Sequence, residues 1–142
     1  MQFAEFLAEP FYRVATRAIV FDGNGNLLVV LNQDDQWEIP GGGWDHEETF
    51  DECLKREVHE ELGVEVTKVN PIALSYKARD QSNYMSLRLA ARTELSSTDF
   101  SFVPDDMKEA KFITREEADV LPFSPGEGVT QEILDSIYDL GS

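Results

Sequence analysis

The stretch REVHEELG, residues 56–63, places three glutamates within five positions of the chain: Glu57, Glu60 and Glu61. On a helix that starts at Phe50 and advances by about 100° per residue, Glu57 and Glu61 lie at about −20° and about 20°. They therefore lie in the middle of the apolar face of that helix, and Glu60 borders it. Glutamates that only faced solvent would lie on the opposite side.

Carboxylates this close together repel one another. Side chains four positions apart on a helix have Cβ atoms roughly 5 to 6 Å apart, and two like charges at about 6 Å repel by roughly 3 kcal/mol at an effective dielectric constant near 20. Either some carboxyl groups are protonated, or a cation lies among them, or the glutamates form a solvated charge run. Oxygen ligands of this kind suit Mg²⁺ or Mn²⁺, which also bind substrate phosphates.

The segments around these glutamates carry clear structural signals. Thr49 and Glu52 form a capping box, which predicts a helix from residue 50 to about residue 62, and Gly63 supplies its C-terminal stop. Upstream, the sequence WEIPGGG at residues 37–43 predicts a short strand followed by a glycine-rich loop. The charge-run interpretation is weakened, because a solvated helix face requires neither the loop nor the cap.

The remaining sequence predicts strands mixed with two further helices. Thr114 and Glu117 form a second capping box, and Thr130 caps a final helix. The pattern indicates one α/β domain over residues 1–142, with helices packed on a mixed sheet. Strands are predicted at 14–21 and 27–31, which the DGNGN turn joins into a hairpin, within 64–78, within 83–94, and around 109–113.

The composition excludes several classes of partner. The 142 residues include 28 acidic and 12 basic ones, a formal net charge of −16, which opposes extended nucleic acid. The single cysteine, Cys53, allows no intramolecular disulfide and is expected in the core. No segment approaches the roughly 18 apolar residues of a membrane span, and the N-terminus lacks the layout of a signal peptide. We expect a cytoplasmic protein that does not enter membranes.

From Gly42 the chain reads GGWDHEETFDECLKREVHEELGV, which resembles the Nudix box, Gx5Ex7REUxEExGU with U an aliphatic residue. The resemblance directly covers about residues 37–64, and the order of predicted elements is similar to the α/β/α sandwich of Nudix hydrolases. It implies hydrolysis of a nucleoside diphosphate linked to another group X. The fixed positions are filled by Gly42, Glu48, Arg56, Glu57, Val58, Glu60, Glu61, Gly63 and Val64.

The resemblance also implies metal ligands. Mg²⁺ or Mn²⁺ would be held by Glu57, Glu60, Glu61 and the backbone carbonyl of Gly41. The metal ions would bridge the diphosphate and the carboxylates, and would lower the pKa of a bound water that attacks phosphorus in line. Some family members use a glutamate outside the box, and Glu109 is the candidate for that position.

Two further box residues take catalytic roles by the same resemblance. Arg56 would orient the carboxylates through a salt bridge with Glu48. The alternative for Arg56 is a surface pair with Glu52 or Glu60 at helical spacing. The carboxylate that takes the proton of the attacking water stays open between Glu57, Glu60 and a glutamate outside the box.

Residues 71–93 form a basic segment, with four basic residues against one acidic residue and a net charge of +3. Arg88 and Arg92 share the basic face of a predicted strand whose other face is apolar, and we expect this face to steer phosphates. A solvated outer face is the alternative. Arg17 interrupts an apolar strand and either grips a phosphate or pairs with an internal carboxylate. Tyr84 is a candidate base-stacking ring, with packing as the alternative.

Two functions follow as hypotheses. The first is a metal-dependent hydrolase that cleaves the diphosphate linkage of a nucleoside triphosphate or another small nucleotide derivative. The alternative is a catalytically silent Nudix-fold module that binds a nucleotide and has a regulatory role. Such modules commonly lack box carboxylates, and this chain keeps all of them. The expected partner is a small nucleotide substrate, and we expect no binding to extended nucleic acid or to membranes. A homodimer is a possible assembly.

Overall fold

A computed structural model describes residues 12–79 and 85–142. The strands are β1 (Tyr12–Ile19), β2 (Leu27–Leu31), β3 (Trp37–Glu38), β4 (Val66–Val69), β5 (Leu74–Arg79), β6 (Met85–Leu95) and β7 (Glu109–Ile113). The helices are α1 (Phe50–Leu62), α2 (Arg115–Val120) and α3 (Gln131–Asp139), with a 3₁₀ turn at Pro125–Glu127. Within the described ranges, none of the helices combines the length and the apolar character that a membrane crossing requires.

The strands form two sheets, and β6 is the central strand of the first. β1 runs parallel to β6, with Tyr12 opposite Met85 and Ile19 opposite Arg92. β5 and β4 pair with β6 in antiparallel fashion. The second sheet is antiparallel and has the order β3-β2-β7. Parallel and antiparallel pairs together make the architecture mixed, as predicted.

The predicted hairpin between β1 and β2 is only partly correct. The turn forms, because the N–H of Gly25 donates to the carbonyl of Asp22 and an antiparallel bridge joins Phe21 to Leu27. Beyond this bridge the strands separate, since β1 pairs with β6 and β2 pairs with β7. Local turn residues specify where the chain reverses. The partner of a strand buried on both faces depends on distant segments.

The strand predicted within residues 64–78 is in fact two strands. β4 pairs with the end of β6 around Thr93, whereas β5 pairs with the earlier part of β6, where Tyr76 lies opposite Arg88. Pro71 lies between the two strands. Proline has no backbone N–H and therefore cannot continue a ladder of hydrogen bonds.

The two arginines that the sequence places on one face of β6 differ in burial. Arg88 is only 8% exposed, whereas Leu87 and Leu89 on the other face are half-buried. The guanidinium can lie on the inner face because a buried carboxylate, Glu127, pairs with it. Arg92, further along the strand, is exposed.

Two apolar clusters lie on opposite sides of the strands. Leu54 of α1 belongs to one cluster, and Ala118 of α2 and Ile137 of α3 belong to the other. Ala90 and Ala91 are neighbours in β6, yet each packs in a different cluster, because successive strand residues point to opposite faces. Helices therefore cover both sides, and the predicted α/β/α sandwich is confirmed.

The helix α1 begins and ends where its sequence signals place it. The hydroxyl of Thr49 accepts a hydrogen bond from the N–H of Glu52 at 3.2 Å, and Glu52 Oε1 accepts one from the N–H of Thr49 at 2.9 Å. At the other end Gly63 adopts a left-handed conformation with φ of 69° and donates to the carbonyl of His59. With both ends fixed, the rotation of each glutamate about the helix axis is fixed as well.

Replacing Thr49 by alanine removes the side-chain acceptor that satisfies the first turn of α1. We expect the free energy of unfolding to fall by about 1 kcal/mol and the Tm by about 3 to 4 °C for a chain of this size. Thermal unfolding of Thr49→Ala beside Thr49→Ser measures this effect, because serine keeps the hydroxyl. Equal losses in both variants would contradict a capping role.

Candidate functional site

The helix α1 turns two of its three clustered glutamates toward the loop that follows β3. Glu61 is 4% exposed as a residue, while the side chains of Glu57 and Glu60 are 15% and 50% exposed. The order of burial agrees with the helical positions, which place Glu57 and Glu61 on the apolar face and Glu60 at its border. The structure therefore confirms that Glu57 and Glu61 lie on the inward face and that Glu60 borders it.

The glycine-rich loop contacts both inward glutamates. The N–H of Gly41 donates to Glu61 Oε1 at 2.8 Å. Gly41 has φ of 142°, and a Cβ atom there would lie 2.1 Å from the carbonyl oxygen of Thr16. A Cβ atom on Gly42 would lie 2.4 Å from the carboxylate of Glu57. Only glycine allows the loop to approach β1 and α1 this closely.

Arg56 links the carboxylates of the site. Its Nε and Nη2 atoms donate to the two oxygens of Glu48 at 3.0 and 2.6 Å, a bidentate pair. Its Nη1 atom donates to Glu57 Oε1 at 2.8 Å, and Nη2 also donates to the carbonyl of Gly43 at 3.1 Å. The contact with Glu60 is longer, at 3.5 Å. The salt bridge with Glu48 that the resemblance implied is thus present in the structure.

The carboxyl groups of the site differ in their pKa values. Hydrogen bonds from Arg56 lower the pKa of Glu48 to about 2. Burial raises the pKa of Glu57, and it raises that of Glu61 well above its ordinary value. Burial therefore disfavours the negative charge of the two inward glutamates, which is the condition that a bound cation would relieve.

The carboxylate oxygens of the box are the kind of ligand that a hard divalent cation prefers, although the side chains do not converge on one common position. In residues 12–79 and 85–142, no three His, Cys, Asp or Glu side chains are placed so that they could hold a metal ion together. Glu57 and Glu61 each use Oε1 in the hydrogen bonds described above, so a second carboxylate oxygen of each can accept another partner. Such oxygens suit Mg²⁺ or Mn²⁺.

If Mg²⁺ binds these glutamates, it stabilises the folded protein. Saturation at about 100 times the dissociation constant would add about 2.7 kcal/mol to the free energy of unfolding, and we expect the Tm to be several degrees higher in Mg²⁺ than in EDTA. Thermal scans test this, with Glu61→Gln expected to reduce the shift and Glu94→Gln, on exposed strand surface, expected to keep it. A shift unchanged in Glu61→Gln would place the metal elsewhere.

Two acidic residues outside the box, Glu38 and Asp106, carry charges that interact with its carboxylates, and neither was predicted as a site residue from the sequence. Burial, together with the charge of Glu60, raises the pKa of Asp106. The charge of Glu38 is among those that raise the pKa of Glu61. A signal for Glu38 existed, because it follows the buried Trp37 in β3 and must point to the opposite face. Asp106 lies in a loop and has no comparable signal.

Glu109 does not join the box glutamates. It is exposed and is the first residue of β7, opposite Leu31. By strand alternation it shares a face with Ile113, which packs in the cluster covered by α2 and α3. The helix α1 covers the other face.

Arg17 and Arg88 meet at one buried carboxylate. Arg17 Nε and Arg88 Nη1 both contact Glu127 Oε1, at 2.9 and 3.2 Å. The other nitrogens of Arg88 donate to the hydroxyl of Ser86 at 3.1 Å and to the carbonyl of Gly126 at 3.3 Å. Of the two alternatives for Arg17, the structure shows the pair with an internal carboxylate. We call Arg17, Arg88 and Glu127 the buried triad.

Arg92 lies apart from this group. Its Nη1 atom donates to the carbonyl of Leu140 at 2.9 Å, and its guanidinium carbon lies 5.6 Å from the centroid of the Phe21 ring. Four residues of strand, roughly 13 Å, separate it from Arg88. Arg92 thus contacts the end of α3 and is not brought to the box. Tyr84, the candidate stacking ring, lies outside the described residues.

A cavity of about 400 Å³, which we call the side pocket, opens beside the box. Glu38 and Asp106 line it. Glu38 lies three residues before Gly41, whose N–H donates to Glu61, so the wall of the pocket continues into the loop that contacts the box. Gln33 Nε2 donates to the carbonyl of Asp106 at 2.6 Å and so connects two of the loops that form the rim. The lining also includes Asn32, Gln36, Arg88 and Glu127.

The comparison with protein families agrees with the fold and with the box. The family model for the NUDIX domain matches residues 11–132. The chain belongs to the Nudix family.

Individual relatives match more limited stretches. The nucleoside triphosphatase NudI of Enterobacter sp. (strain 638) is 39% identical over 62 residues, which cover 38% of this chain and 44% of the relative. A MutT-like protein of Streptomyces ambofaciens is 34% identical over 74 residues, which cover 51% of this chain and 47% of that protein. The chain thus spans less than half the length of each of these curated relatives.

The fold is shared with solved structures. The solution structure of the E. coli ORF135 protein is similar with a TM-score of 0.73 and 24% sequence identity, over 92% of this chain and 91% of that one. At this identity the similarity shows the fold alone. It agrees with the mixed strands and flanking helices described above.

Proposed function

We propose that the chain is a Nudix pyrophosphohydrolase that cleaves the diphosphate linkage of a nucleoside triphosphate, or of another nucleoside diphosphate derivative, by attack of water on phosphorus. The observation that carries this proposal is the inward placement of Glu57 and Glu61 against the glycine-rich loop. Nothing in the packing of α1 requires two carboxylates there, and burial disfavours their charge. A site for a metal ion and a phosphate chain accounts for both.

Glu57, Glu60 and Glu61 would hold Mg²⁺ or Mn²⁺, with the carbonyl of Gly41 as the further ligand that the family resemblance implies. The bound ion supplies neutralisation of phosphate charge and a lowered pKa of its water. Arg56 holds Glu57 through Nη1 while its other nitrogens remain on Glu48. The carboxylate of Glu57 is therefore oriented before any ligand arrives.

A carboxylate must accept the proton of the attacking water. Glu60 is the most exposed of the three box glutamates, with half of its side chain in solvent, so water reaches it most readily. We infer that Glu57 or Glu60 takes the proton of the attacking water.

The charge of the protein supports a cation-dependent reaction. A polyphosphate approaches a chain of formal net charge −16 and a site whose nearest side chains are carboxylates. Without positive charge between them, phosphates and carboxylates repel each other. We therefore expect the substrate to bind as its complex with a divalent cation. The name of the relative NudI, a nucleoside triphosphatase, supports triphosphates as the first substrates to test.

The test is a panel of nucleoside triphosphates, nucleotide sugars, ADP-ribose and dinucleoside polyphosphates, each assayed with Mg²⁺ and with Mn²⁺ beside a Glu60→Gln variant. We expect turnover of at least one substrate that needs a divalent cation and that falls sharply in Glu60→Gln. Nucleotide binding without turnover of any substrate would contradict the hydrolase and favour the silent binding module.

A further inference from the structure

The side pocket is close enough to the box for one nucleotide to reach both. Its wall includes Glu38, which lies three residues before Gly41 in the chain, and the N–H of Gly41 donates to Glu61 Oε1 at 2.8 Å. It also includes Asp106, whose pKa is raised by burial and by the charge of Glu60. A phosphate chain at the box glutamates would therefore place the rest of the nucleotide at the mouth of this cavity. Its volume of about 400 Å³ is near the lower end of the range of ligand pockets, roughly 300 to 1,000 Å³. This volume has room for one nucleoside.

The side pocket offers no free cation for a phosphate. Among the described residues that line it, Arg88 is the only basic one. Its Nε, Nη1 and Nη2 atoms donate to Ser86, Glu127 and the carbonyl of Gly126 respectively. The pair with Glu127 also offsets its charge. Because the remaining charges of the described lining are carboxylates, an anionic group would be repelled, and the phosphate chain does not enter the side pocket.

Carboxylates are the most numerous polar side chains of the side pocket, which also includes the amides of Asn32, Gln33 and Gln36 and the hydroxyl of Ser124. Glu38 Oε2 accepts from Asn32 Nδ2 at 2.7 Å, which holds the carboxylate in place and leaves Oε1 for another donor. The carboxylate of Asp106 lies in the same lining, and carboxylates accept hydrogen bonds only. A ligand that places a carbonyl oxygen against Glu38 or Asp106 would set acceptor against acceptor. A ligand with an amino group there supplies the donors that these oxygens require.

We propose that the side pocket binds the base of the substrate and selects bases that carry an exocyclic amino group. This inference rests on the proposed function, since it assumes that the phosphate chain lies at the box. Cytosine, adenine and guanine carry such a group, whereas uracil presents a carbonyl at the position where cytosine has its amino group. Leaving a buried polar group without its partner costs about 1 to 3 kcal/mol, which predicts a preference of roughly 5- to 150-fold.

Two substrate pairs test the selection. We expect kcat/KM to be at least about fivefold higher for CTP than for UTP, or for GTP than for ITP, since the members of each pair differ at the amino group. Substituting Glu38→Gln and Asp106→Asn, singly, should bring the ratio within the preferred pair toward one. Asp99→Asn, on an exposed loop, is the matched control and should leave the ratio unchanged.

The ratio separates base recognition from any catalytic role of these carboxylates. If Glu38→Gln and Asp106→Asn slow both members of a pair equally, the carboxylates serve the reaction or the metal, and the inference is overturned. Ratios within about threefold in the wild type for both pairs overturn it too, while leaving the hydrolase intact. If no nucleotide is hydrolysed, the proposed function fails. Equilibrium binding of the same nucleotide pairs with Mg²⁺ then tests base selection by itself. Equal Kd values within each pair would show that the side pocket does not select for the amino group.

Discussion

Replacing Glu57 or Glu61 by glutamine is expected to lower kcat by roughly 10²- to 10³-fold, or about 3 to 4 kcal/mol of transition-state stabilisation. Each variant removes one anionic oxygen ligand and keeps nearly the same shape. Glutamine at position 61 can still accept the hydrogen bond that Gly41 donates to Glu61. In Glu57→Gln, Arg56 keeps its bidentate pair with Glu48. The loop and the helix therefore stay in place while the charge is lost.

Stability separates this loss of activity from a loss of fold. Because burial penalises the negative charge of Glu61, Glu61→Gln should be at least as stable as the wild type in the absence of metal. Glu94→Gln, on exposed strand surface, controls for the removal of one carboxylate from a highly acidic chain. Steady-state kinetics on the best substrate, with urea denaturation in EDTA, give both quantities. Turnover within about threefold of the wild type in both box variants would rule out a catalytic site at these glutamates.

The parts of the fold that could be predicted from the sequence are those specified by neighbours in the chain. The capping box of Thr49 and Glu52 and the stop at Gly63 give the bounds of α1. With those bounds, a helical repeat is enough to turn Glu57 and Glu61 inward. The salt bridge between Arg56 and Glu48 joins positions eight apart, and it followed from the family resemblance rather than from helical spacing.

The parts that could not be predicted depend on distant segments. The sequence separation between Arg17 and Glu127 is 110 residues, and between Arg88 and Glu127 it is 39. No local pattern marks Glu127 as their partner. The alternating residues of β6 placed Arg88 and Arg92 on one face, but the pattern cannot show that a buried carboxylate will meet Arg88. The same limit applies to Asp106, which lies in a loop distant in sequence from the other residues of the side pocket.

The three charges of the buried triad are removed from water, but each is paired and hydrogen-bonded. The relative exposures of the Arg17, Arg88 and Glu127 side chains are 6%, 10% and 2%. Removing ions from water costs several kcal/mol each, and close pairing with further hydrogen bonds offsets this cost. One carboxylate, in the 3₁₀ turn, thus connects β1 and β6.

Replacing Glu127 by alanine is therefore expected to lower the free energy of unfolding by about 3 to 5 kcal/mol, since two guanidinium groups stay buried without their counter-charge. That is a large part of a total stability of about 5 to 15 kcal/mol. Urea denaturation of Glu127→Ala measures the loss. The control is the combined variant Arg17→Met, Arg88→Met and Glu127→Leu, which removes all three charges and should recover most of the stability. If Glu127→Ala loses less than about 1 kcal/mol, or the combined variant is less stable still, the triad does not stabilise the fold through charge pairing.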